Sequence, residues 1–160
     1  MNDQAYHYTE SGLDYVYLVG GVDVVGAPGR QKVIIKDLEG LHRAIGRYIT
    51  TQRESLSGAD ARFLRHELLM SQTTLAHLLN VSEQAVHRWE KGKTAKVPGS
   101  AQALLRLLYL ETTNQLPGGG SKGNIAASLK RIAKLEDQID GAVNLVANDD
   151  GWQPEPAKAA

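Results

Sequence analysis

Between residues 83 and 93 stand Glu83, Gln84, His87, Arg88, Lys91 and Lys93. These side chains are suited to reading nucleic acid. Gln pairs bidentately with adenine, Arg with guanine, and Glu accepts from the cytosine amino group. Lysines reach phosphates, which position a protein on a duplex without reading its sequence. For this chemistry, Glu83, Gln84, His87 and Arg88 must share the outer face of one short helix, with Lys91 and Lys93 at or just past its end.

The neighbouring sequence supplies that helix. Ser82 is placed to cap it, since its hydroxyl can accept from an orphan backbone N–H. Val86 and Trp89 form its buried stripe, which leaves the four polar side chains outward. Ser71 is placed to cap an earlier helix, on which Leu75, Ala76 and Leu79 share a face. Ala76 is small where two helices must approach. Asn80 falls where the turn needs a positive φ, which Asn tolerates better than most residues. Val81 then turns inward. The reading is two short helices joined by a tight turn, the second shaped for the major groove of DNA. The competing reading is a small helical bundle with a solvated polar face. It requires the caps, the small residue, the turn Asn, the Val and the Trp to coincide by chance.

This stretch resembles the helix-turn-helix of the Cro/repressor (XRE) family. The residues that carry the resemblance are Ser71-Gln72, Leu75-Ala76, Val81-Ser82 and Trp89-Glu90-Lys91-Gly92-Lys93. It implies that Gln72 contacts a phosphate and that Glu83, Gln84 and Arg88 face bases. It also implies a structural pair between Arg65, on the preceding helix, and Glu90. Glu83 departs from the pattern, where a neutral or basic residue is common, so it either reads a cytosine or points away from the phosphates. A second resemblance rests on Tyr6 to Asp14 (YHYTESGLD) and Gly40 to Ile45 (GLHRAI), followed by the helix-turn-helix. Over about residues 6–110 the chain is similar to MqsA-type antitoxin regulators. That similarity implies a homodimer on an inverted-repeat operator in double-stranded DNA, and a toxin protein as a possible partner. Members of that group often carry a cysteine-bound zinc; this chain has no cysteine, so the zinc is not carried over.

Charge supports the nucleic-acid reading once it is divided along the chain. The whole protein is neutral, with 18 basic and 18 acidic side chains over 160 residues. Residues 61–106 hold seven basic against three acidic, a net +4, while the flanks 1–60 and 107–160 each come to −2. Such concentration is the electrostatic footprint of a nucleic-acid binder. The excess is modest, so a dimer that doubles the phosphate contacts is expected. The absent cysteines exclude disulfides and thiolate metal sites. The sequence shows no apolar run long enough for a membrane span and no signal pattern, so a cytoplasmic location is expected.

The rest of the chain reads in order as follows. Residues 1–35 are rich in β-branched and aromatic residues and predict a meander of about three strands, with Gly20-Gly21 as a hairpin turn. Asp37 is placed to cap a helix running to about Gln52, with Leu38, Leu41, Ile45, Tyr48 and Ile49 as its apolar stripe. A new helix starts at Ser57-Gly58-Ala59-Asp60. Val97-Pro98 opens another, whose leucines 104, 105, 107, 108 and 110 exceed one buried stripe; with the outward Leu78 they serve either an interface or simple core packing. Pro117 to Gly123 reads as a flexible linker without phosphate-loop spacing. Ile125, Leu129, Ile132, Leu135, Ile139 and Val143 predict an amphipathic helix, as a short coiled coil or docked on its own domain.

The expected fold class is α+β: an N-terminal β/α unit (1–54, zinc-free), an all-α helix-turn-helix domain (55–114), a linker (115–123), the amphipathic helix (124–147) and a disordered tail (148–160). Histidines 7, 42, 66, 77 and 87 are scattered, and none makes a metal-ligand pair at helical spacing. No nucleophile elbow or lysine-adjacent serine pattern is present. No metal, cofactor or enzymatic activity is therefore expected. The function expected is a sequence-specific regulator, a repressor of its own operon; the alternative is an antitoxin-like protein whose main role is binding a protein partner.

Overall fold

The computed structural model describes residues 4–92, 95–115 and 142–155. They form strands β1 (Tyr6–His7), β2 (Val16–Val19), β3 (Val22–Val25) and β4 (Lys32–Ile35), then helices α1 (Leu38–Thr51), α2 (Gly58–Glu67), α3 (Gln72–Leu79), α4 (Glu83–Lys91) and α5 (Gly99–Thr112), and last β5 (Val143–Asn148) and β6 (Gly151–Pro154). The class is α+β. The chain divides into two units, residues 1–44 with 141–160, and residues 45–140.

The first unit holds a four-stranded sheet in the order β1-β2-β5-β6. β2 runs antiparallel to β1 and parallel to β5, with Leu18 opposite Leu145. Val16, Leu18, Val143 and Leu145 are buried on alternate positions, as the two-residue period of a strand requires. Three expectations are corrected here. β2 and β3 do not form a hairpin: β3 pairs with β4 in a separate two-stranded ribbon. Gly20 and Gly21 (φ 71° and 66°) instead carry the chain from one sheet to the other, and a Cβ on Gly21 would lie 2.8 Å from Ala147 and 2.9 Å from the Trp152 ring. Residues 143–147 are not the end of the expected helix but part of β5, because the alternation of Val143 with Leu145 matches β2. Nor are residues 151–154 a disordered tail. Trp152 is buried, and its Nε1 donates to the Lys36 carbonyl at 2.9 Å. The expected linker over 116–123 and the expected helix up to residue 141 lie outside the described residues.

The division between units falls inside α1. Leu41, Ile45 and Ile49 of this helix are fully buried, whereas Leu38 is exposed. Gly46 lies so near α5 that a Cβ would collide with the Tyr109 ring. The buried Arg106 of α5 donates to the carbonyls of Ile49, Arg53 and Glu54, satisfying one acceptor in the last turn of α1 and two just beyond it. Ile45 and Ile49 thus count with the helices that follow.

In the second unit each helix start is fixed locally. Ser57 and Asp60 form a reciprocal capping box on α2. Ser71 caps α3 through the Thr74 N–H, and Ser82 caps α4 through the Ala85 N–H. Phe63, Leu64, Leu75, Ala76, Leu79, Val86, Trp89, Leu105 and Leu110 are buried in this unit, while Leu104 and Leu78 are 43% exposed. Val81 is only half-buried. A Cβ on Gly58 would overlap the Trp89 carbonyl, so the start of α2 can lie against α4 only as glycine.

Candidate nucleic-acid interface

The α3–α4 turn forms from two adjacent residues. Asn80 takes the left-handed conformation (φ 54°, ψ 46°), and its N–H and that of Val81 bond back to the carbonyls of His77 and Ala76. Two backward bonds of this kind close a helix end and reverse the chain within a few residues. The caps then fix where α4 begins, and the burial of Val86 and Trp89 fixes which way it faces.

Glu83, Gln84, His87 and Arg88 are exposed, and together with Gln72 of α3 they line one cleft of about 560 Å³. The four expected base-facing side chains are therefore brought together. Lys91 is exposed at the last turn of α4, where a cation also favours the negative end of the helix dipole. Lys93 lies outside the described residues.

Behind this face, Arg65 and Glu90 meet. Arg65 Nε donates to Glu90 Oε1 at 2.6 Å and Nη2 to Oε2 at 2.9 Å, and Nη1 donates to the Met70 carbonyl at 2.8 Å. The pair joins α2 to the end of α4. Burial pushes the Glu90 carboxyl up, but hydrogen bonds from Arg65 and Gln72 and the charges of Arg65 and Arg62 outweigh it and hold the group below its ordinary value. The motif pattern does not reveal the Gln72 contact: its Nε2 donates to Glu90 Oε2 at 2.8 Å. One amide proton of Gln72 is spent on orienting the side chain, and a second remains for an outside acceptor. The pattern also passes over Arg62 and His66, exposed on α2 beside Gln72 and His87; their spacing of four residues was the available signal.

Residues 62–108 match the family model for the helix-turn-helix. This chain carries an XRE-type helix-turn-helix domain. The helix-turn-helix is a fold of DNA-binding regulators rather than an enzyme family, and the match runs from within α2 through most of α5. No curated protein and no solved structure matches the chain. Among the described residues no helix is long and apolar enough to cross a membrane, and no group of three or more His, Asp or Glu side chains is placed to hold a metal ion.

Proposed function

We propose that this protein is a sequence-specific repressor that binds double-stranded DNA as a homodimer and acts on its own operon in the cytoplasm. One observation carries the reading: the outward face of a capped, rigidly seated α4 presents Glu83, Gln84, His87 and Arg88 together in one cleft. In a dimer, two such helices enter successive major grooves about 34–36 Å apart on an inverted repeat. Gln84 and Arg88 read base edges, with Glu83 and His87 beside them. Gln72, Lys91 and Lys93 take phosphates, and Arg65 with Glu90 holds the frame on which Gln72 is set.

A second reading is favoured by the β3–β4 ribbon. Val24, Val25, Val33 and Ile34 are between 39% and 53% exposed on it, and apolar exposure on a two-stranded ribbon suits a protein partner. Under this reading the chain is antitoxin-like, and the partner is a toxin. The test is binding of the pure protein to DNA from immediately upstream of its own gene, with random competitor, at near-physiological salt. Protection of an inverted repeat supports the repressor; binding no tighter than to random DNA overturns it and leaves the protein-partner reading.

A further inference from the structure

A second cleft, of about 350 Å³, adjoins the base-facing one along α4. His87 and Gln72 line both. Its rim is two pairs of side chains spaced four residues apart: Arg62 and His66 on α2, His87 and Lys91 on α4. All four are exposed. Its floor is the Arg65–Glu90 pair with Gln72. With the histidines neutral, the charged side chains of the cleft come to a net +2.

The donors divide cleanly. Four of the five Arg65 N–H groups are already taken: by both Glu90 oxygens, by the Met70 carbonyl and, at 3.4 Å, by His66 Nε2. Glu90 is saturated in turn by Arg65 and Gln72. The Arg65–Glu90 pair is therefore satisfied within the protein, while Gln72 keeps one amide proton for an outside acceptor. By contrast, Arg62, His87 and Lys91 form no hydrogen bond or ion pair among the described residues, and His66 Nδ1 has no partner there. Apart from the second Gln72 amide proton and the fifth Arg65 N–H, the free donors stand on the rim, on two different helices, and converge on one concave surface. A tetrahedral anion with several acceptor oxygens fits that arrangement, because charge-assisted bonds from Arg to phosphate are short and directional.

We propose that this cleft seats a backbone phosphate of the bound duplex, so that α2 becomes a third helix in the DNA interface through Arg62 and His66. The inference rests on the DNA-binding reading above. Its geometric support is continuity: with α4 in the major groove, the groove wall next to the base-facing cleft is a sugar–phosphate strand. A contact of this kind carries no sequence information, and it adds to the salt dependence of binding.

The test compares the wild type, the double variant Arg62→Gln/His66→Gln and the single variant Arg62→Lys, each as the full chain. Binding is read by fluorescence anisotropy on the upstream duplex and on a random duplex of equal length, from about 50 to 200 mM salt. All four rim residues are exposed, so melting temperatures should agree among the variants, which checks the fold. The double variant is expected to lose about tenfold on both duplexes alike, with the slope of log affinity against log salt shallower by about 1. Arg62→Lys keeps the wild-type slope. An unchanged slope in the double variant, with the wild type still binding, overturns the α2 seat and leaves the DNA reading intact. A wild type without affinity for either duplex overturns both. A changed slope without preference for the upstream duplex supports the seat while removing sequence specificity.

Discussion

Arg88 and Glu90 stand two residues apart on α4 and are set opposite tasks by the faces they occupy. Arg88 is exposed in the cleft that it shares with Gln72, Glu83, Gln84 and His87. Arg88→Ala should cost about 1–3 kcal/mol of binding to the operator and relax preference at one base pair. Equal losses on specific and random DNA would show that it touches phosphate instead. Glu90 is turned inward, with its side chain 5% exposed against an Arg65 side chain 10% exposed. Its folded-state value is held below the ordinary 4.5. The stability it contributes is therefore present in full above about pH 4.5 and is lost as the pH falls through the lower folded-state value. Glu90→Gln should melt earlier than the wild type near neutral pH, and the two melting curves should converge in acid. A gap that persists unchanged below that range would show that the charge contributes nothing.

At the scale of the element, the helices of the second unit are delimited by short-range chemistry. Three serines cap α2, α3 and α4, each through a backbone N–H three residues on. The ends use the same backward-bonded closure at Leu69, Asn80 and Asn114, all at φ 54°. Asn suits that conformation; Leu does not, and Leu69 is 94% exposed, so no burial offsets its strain. Leu69→Gly should raise stability by about 1 kcal/mol, read by denaturant melts with an unchanged slope. These caps, the left-handed Asn80 and the buried stripe of α4 were legible in the sequence because each involves residues within a turn or two of one another. The β elements were less so. Gly20-Gly21 carries a hairpin signature, and its φ values agree with it, but the partner strand is chosen elsewhere: β2 pairs with β1 and β5, and β3 with β4.

At the scale of the whole molecule, the first unit is made from both ends of the sequence, and the chain that forms the helix-turn-helix runs between them. Trp152 ties the ends together across 116 residues. Trp152→Ala should cost about 3–5 kcal/mol, through lost burial and the unpaired Lys36 carbonyl. The loss should appear as faster amide exchange in β2 and β5, with the capped helices α3 and α4 keeping their protection. Uniform loss of protection in both units would mean that they unfold together. The sequence by itself determined the helix-turn-helix: the cap serines, the turn Asn, the apolar stripes and the pairing of Arg65 with Glu90 follow from local spacing and from a motif resemblance. Only the tertiary structure decided the parallel pairing of β2 with β5, the burial of Trp152 beneath Gly21, the bond from Gln72 to Glu90 and the gathering of Arg62 and His66 beside His87 and Lys91. The reason is physical. A cap or a helix face is set by neighbours in sequence, whereas a strand partner or a shared cleft is set by whichever distant surface completes its hydrogen bonds and excludes water.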